Sequence, residues 1–417
     1  MIEQDEAHRQ SARHLVAMVC VAQTLVQIGA FFWPALLPQL APQWALSYSA
    51  AGWVTAAFYG AYMLAVPVLV TLTDRIDPKK IYLFGVSLTV VGHLLFGLVA
   101  DGFWSALACR MLTGIGWAGT YMTGLKLLAD RVDARMMSRA TAGHAASIGL
   151  SGALSFATGE WLARLAGWQS AFIAASVSAV IAWIIIVVVV PRQQKAAVKA
   201  ADGSGLYDFR PVLRNRSAMA YAMAYAIHTL EMSALRGWGV AFLAYVAVST
   251  GTKDTVFSPA VLVTTLGLIG TVASILGNEA AIKFGRRRLV MTAMFGSVLL
   301  GGVIGFIGTE SYLLAASLIL IYGLVIWLDS SSLTAGAAGT AEPSRRGATL
   351  AVHSTLGYAG GFIGPLLIGW TLDLSGGMSR TGWGISFAVV SALMLVALIA
   401  FWLIRPQGLI GDREGSP

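Results

Sequence analysis

Apolar residues run along this chain in blocks of twenty or more, and short segments rich in glycine, proline, lysine and arginine interrupt them at regular intervals. A helix rises 1.5 Å per residue, so about 20 apolar residues cross a hydrocarbon layer about 30 Å thick. Twelve such blocks can be laid down: 15–40, 48–73, 81–100, 103–129, 138–163 and 168–190, then 217–247, 256–282, 287–308, 311–339, 345–372 and 381–404. The longest polar stretch separates the two sets of six. The expected organisation is a tail over 1–14, a six-helix bundle over 15–191, a linker over 192–216, a second six-helix bundle over 217–404 and a tail over 405–417.

Composition agrees with a bilayer as solvent. Apolar residues make up 57% of the 417 positions, charged residues 12%, and mean hydropathy is +0.73. Water-soluble domains carry about 25% charged residues. A net charge of +8 could suggest nucleic acid, but the basic residues sit between apolar blocks rather than on one polar face, so no nucleic-acid partner is expected. Of the 28 lysines and arginines, 22 fall in or within two residues of the tails, the linker and the loops after spans 2, 4, 8 and 10, against Arg164, Lys253 and Arg380 on the other side. By the positive-inside rule that asymmetry puts both termini and the linker in the cytoplasm of a multi-pass inner-membrane protein. The first apolar block is too long for a signal-peptide core, so no cleavage is expected. Cys20 and Cys109 lie inside spans, with no disulfide or metal-ligand spacing.

The halves echo each other. A tight basic loop after span 2 (Asp74, Arg75, Asp77, Pro78, Lys79, Lys80) is matched by one after span 8 (Lys283, Arg286, Arg287, Arg288). The glycines of span 5 (Gly143, Gly149, Gly152, Gly159) are answered in span 11 by Gly357, Gly360, Gly361, Gly364 and Gly369. Such spacing points to a parallel duplication of six spans.

On these residues the chain resembles the major facilitator superfamily. Asp74, Arg75, Lys79 and Lys80 fit that family's loop between spans 2 and 3, with Val70, Asp77 and Pro78 as departures; Arg110, Gly114 and Gly116 meet its R-x-x-x-G-x-G motif in span 4. The resemblance implies an all-α membrane protein of twelve transmembrane helices in two pseudo-symmetric six-helix bundles. It also implies a central cavity lined by spans 1, 4, 7 and 10 and a basic loop that latches one state of an alternating-access cycle. Asp74, Arg75, Lys79, Lys80, Glu279 and Arg286 are the expected gating residues, with Glu279 a partner within the second basic loop.

Ionisable residues inside spans are costly, about 2.5–3.5 kcal/mol each on the insertion scale, and so are candidates for function. Span 7 holds His228, Glu231 and Arg236; at 100° per residue the first two share a face. Span 10 adds Asp329, and span 4 adds Arg110 and Lys126. These six are the expected substrate-binding or proton-coupling residues, Glu231 exchanging the proton and the cations attracting an anionic group. The competing reading is that Glu231 and Arg236 neutralise each other and only hold the bundle together. His93, His144 and His353 read as packing histidines.

No G-x-x-x-x-G-K-[ST] loop is present, so ATP is not expected to drive transport, and no cofactor, metal site or soluble catalytic domain is implied. The expected function is secondary active, proton-coupled transport of a small organic solute, an anion by preference, by symport or antiport. A broad drug or metabolite exporter and a non-transporting sensor are the alternatives. With two complete halves in one chain, a monomer in the lipid bilayer is expected to suffice.

Overall fold

The computed structural model describes residues 2–73, 75–132, 134–192, 209–252, 257–342, 345–409 and 412. Among them there is no strand. The helices are α1 (Ile2–Gln27), α2 (Phe32–Gln43), α3 (Tyr48–Leu72), α4 (Pro78–Val99), α5 (Phe103–Ala129), α6 (Ala134–Ala166) and α7 (Trp168–Val189). They continue with α8 (Arg210–Arg214), α9 (Arg216–Ser249), α10 (Pro259–Phe284), α11 (Arg286–Ile307), α12 (Tyr312–Leu328), α13 (Ser330–Gly339), α14 (Arg346–Leu374) and α15 (Arg380–Ile404). Among the described residues, ten segments are long and apolar enough to cross a membrane; α5 and α6, at 27 and 33 residues, are as long but less apolar. Most of the expected linker, 193–208, lies outside the described residues.

Helix starts follow local chemistry. Asp77 caps α4 by accepting from the Lys79 backbone N–H, with Pro78 in the first turn, where its missing N–H costs nothing. That accounts for two of the three motif departures, Asp77 and Pro78, as a capped, proline-led helix start. Ser258 with Pro259 does the same for α10, and Ser311, Ser379 and Asn215 cap α12, α15 and α9.

Two expected spans are broken. Span 1 divides between α1 and α2, and span 10 divides at Asp329, which ends α12 and precedes α13. In span 1 the cause is legible: Pro34, four residues after Ala30, has no N–H to return to the Ala30 carbonyl. Broken helices survive inside a membrane only where the protein itself satisfies the freed backbone groups.

The chain forms two compact units. One comprises residues 1–36 and 60–202; its core joins Leu15, Val19, Ala22 and Val26 of α1 to Tyr82, Val86, Leu127, Ala179 and Ile186. The other comprises 37–59 and 203–417, so the end of α2 and the first half of α3 pack with the later helices. Within this second unit the Asp373 carboxylate of α14 accepts from the Tyr48 and Ser49 backbone N–H groups at 3.0 and 2.8 Å, an anion at the positive end of α3. α9 and α14 pack closely along their length. A Cβ at Gly360 would meet the Ala226 carbonyl oxygen, and one at Gly364 the Leu230 carbonyl oxygen, so only glycine allows these backbones to touch.

Candidate functional site

The expected span 7 and span 10 residues converge inside the second unit. His228 and Glu231, three residues apart on α9, face the same way, and both are 1% exposed. His228 Nδ1 lies 2.9 Å from Oδ1 of Asp329, so the break in span 10 brings its carboxylate onto the imidazole. Glu231 Oε1 accepts from the Tyr322 hydroxyl of α12 at 2.7 Å, and Ser297 of α11 lies beside the same carboxylate. On the other side of His228 the Tyr225 ring stacks at 5.7 Å, and the His353 ring of α14 stacks on Tyr225 at 4.0 Å. His353 Nε2 is 3.2 Å from Thr334 Oγ1.

Two carboxylates, two imidazoles and two phenols therefore form one network within a helical bundle. His228, Glu231, Tyr322, Asp329 and His353 are buried, so a change of protonation there alters a charge in a weakly screened environment. Such a network can hold a proton, pass it between Asp329 and His228, and respond to movement of span 10 about its break.

Arg236 takes a different direction from Glu231. Its guanidinium lies over the Trp327 ring at 5.0 Å, with the Tyr59 hydroxyl as a hydrogen-bond partner and Tyr225 and Tyr358 nearby. Arg236 is half-buried, and a guanidinium framed by aromatic rings suits an anion attached to an apolar body.

Arg110 of α5 is buried, and its Nη1 donates to the Ala30 carbonyl at 2.9 Å, the group that Pro34 leaves without a helical donor. The Phe31 N–H at the same break donates to Ser155 Oγ of α6. The span-4 motif arginine thus braces the broken span 1. Arg110→Met is expected to lower thermal stability by about 1.5–3 kcal/mol, the worth of a buried hydrogen bond to a charged group, read as a lower melting temperature in detergent. Lys126 pairs with Asp130 at 2.8 Å and is 38% exposed, at the last turn of α5.

The gating residues divide. Asp74 lies outside the described residues, and Arg75 and Lys80 are exposed. Lys79 is buried and donates to the Val187 and Val190 carbonyls at the end of α7, while Asp77 pairs with Arg131 at 2.7 Å. In the second basic loop Arg286 does not take Glu279, which is exposed. It takes Asp412 of the C-terminal segment, through Nε and Nη2 at 3.0 and 3.1 Å, together with Asn278 and the Ser332 carbonyl. Glu279 points outward because Asn278, one residue earlier, occupies the inner face of α10. The Arg286–Asp412 pair is 3% exposed on both sides, so Asp412→Ala leaves a buried cation half-matched; a loss of about 3–5 kcal/mol, seen in thermal unfolding, is expected.

Tyr322, Ser297, Tyr225, Asp412 and Arg131 were not anticipated from sequence. Tyrosines in spans 7 and 10 near carboxylates were the available signal for two of them.

A polytopic helical membrane protein with an ionisable network buried in one bundle belongs among the solute transporters. The chain is a member of the Major Facilitator Superfamily, whose family model matches residues 19–252. It is 24% identical over 349 residues to the sphingosine-1-phosphate transporter SPNS2 of Xenopus tropicalis, covering 78% of this chain and 67% of that one. It is also 22% identical over 345 residues to the uncharacterized MFS-type transporter YbcL of Bacillus subtilis (strain 168), covering 82% and 84%. Among solved structures, a bacterial homolog of the human lysosomal transporter Spinster, inward-facing and occupied, matches with a TM-score of 0.76 at 14% identity over 95% of this chain and 97% of that one. The nucleoside transporter NupG matches with a TM-score of 0.74 at 12% identity over 94% and 99%.

Proposed function

We propose that this transporter carries a small organic anion across a bacterial inner membrane by alternating access, coupled to protons, with both termini in the cytoplasm. The observation that carries the coupling is the buried network of Glu231, Tyr322, Asp329 and His228, whose carboxylates have no arginine among the partners described above. A proton is the smallest charge that such an enclosed site can exchange, and the broken span 10 offers a way for its occupancy to bias helix position.

The anion is supported by Arg236 and its aromatic frame. A relative named as a transporter of sphingosine 1-phosphate, an amphiphilic phosphate monoester, points the same way. An acidic head on an apolar body is therefore the preferred substrate class. Grouped glycines between α9 and α14 supply close, smooth helix contacts along which a segment can slide.

The test is a thermal-shift screen of the purified protein against organic acids, alkyl and sphingoid phosphates, nucleosides and uncharged amphipathic drugs, since a ligand stabilises the state it binds. Stabilisation concentrated among the anions is expected. Stabilisation by uncharged drugs alone would overturn the anion and favour broad export.

A further inference from the structure

Away from the polar network, α11 and α15 of the second unit leave a groove on the surface that faces lipid. Its apolar part, about 410 Å³, is lined by Met291, Thr292, Phe295, Leu398, Ile399 and Trp402. A second hollow of about 490 Å³, lined by Phe284, Arg288, Leu289 and Thr292, shares Thr292 with the first, so the two are continuous. The end of the groove nearer the start of α11 is basic. Arg288 lines it, and Lys283 reaches over the Phe284 ring at 5.3 Å. The guanidinium of Arg287 reaches the Trp402 carbonyl at 3.4 Å and ties the start of α11 to the end of α15; its Nε is buried with no hydrogen-bond partner.

From this arrangement we infer that the groove between α11 and α15 is a binding site for an anionic glycerophospholipid of the surrounding leaflet. The phosphate meets Arg288 and Lys283, and one acyl chain lies along Met291, Phe295 and Ile399. The proposal does not rest on the transport reading. Length agrees: Arg288 and Phe295 are seven residues apart, about 10 Å along a helix, which spans the step from headgroup to upper acyl chain. Chemistry agrees as well. An apolar trough ending in two cations and an indole matches a molecule whose charge and chain are joined at the membrane interface. A zwitterionic lipid fills the trough equally well but gains less from the cations.

The experiment is native mass spectrometry of the delipidated full chain, titrated with phosphatidylglycerol or with phosphatidylcholine of identical acyl chains. Phosphatidylglycerol should be retained in one saturable copy, and phosphatidylcholine should not. Lys283→Gln/Arg288→Gln should weaken that copy about five-fold for each cation lost. Ile399→Trp, which fills the trough and leaves both cations, should remove it at an unchanged melting temperature. Equal retention of the two lipids would overturn the site, as would full retention in both variants. So would a dimer that buries this face and is broken by Ile399→Trp, since the occupant would then be a second copy.

Discussion

Glu231→Gln is expected to abolish uphill, proton-driven accumulation while leaving exchange of solute across the membrane intact. Glutamine keeps the size of the side chain and an oxygen to accept from Tyr322, 2.7 Å away, but it cannot gain or lose a proton. Helix packing around α9 is therefore preserved. In proteoliposomes with a gradient of one pH unit, one coupled proton supports a concentration ratio of about ten. The wild type should approach that ratio with the anion found by the screen, and the variant should stop at equality. Counterflow of labelled against unlabelled solute needs no net proton and should persist. Tyr322→Phe, which removes a donor and keeps the carboxylate, should slow accumulation without erasing it.

Arg236→Ala is expected to remove binding of the anion, with the fold retained. The guanidinium sits half-buried over Trp327, beside Tyr59. Truncating one member of a desolvated, hydrogen-bonded charge pair costs about 2–5 kcal/mol of binding, roughly thirty-fold or more in affinity. Ligand-induced thermal stabilisation should therefore vanish for the anions, while the melting temperature without ligand shifts little. Arg236→Lys keeps the charge and loses the planar fork, so an intermediate affinity is expected. A variant that binds the anion as the wild type does would remove Arg236 from the substrate site.

The helices themselves were legible because hydrophobic block length and basic loops are one-dimensional signals. Exact helix starts were not read: the caps at Asp77-Pro78, Ser258-Pro259 and Ser311 emerge only in the structure. The break in span 1 was missed, because the block reads as continuous by hydropathy; Pro34, four residues beyond the carbonyl it deprives, was the overlooked signal. What a buried charge faces is set by the neighbouring helix, and that is not written on the helix itself. Thus the helical wheel put His228 and Glu231 on one face of α9, whereas Tyr322 and Ser297 come from other helices and could not be assigned from α9. Arg110 carried a motif, and its placement over the Ala30 carbonyl gives that motif a bracing function. Glu279 was adjacent in sequence to the basic loop; Asp412, more than a hundred residues away, is the residue that folds back to Arg286.

Coupling of solute movement to protons is tested most directly by a pH-sensitive dye sealed inside weakly buffered proteoliposomes. The anion from the thermal-shift screen is added outside while its labelled form is counted inside. Internal pH should change in step with solute entry for the wild type, and Glu231→Gln vesicles should exchange label with no pH change. Solute entry at the same rate in both, with internal pH constant throughout, would contradict a proton-coupled mechanism seated at Glu231.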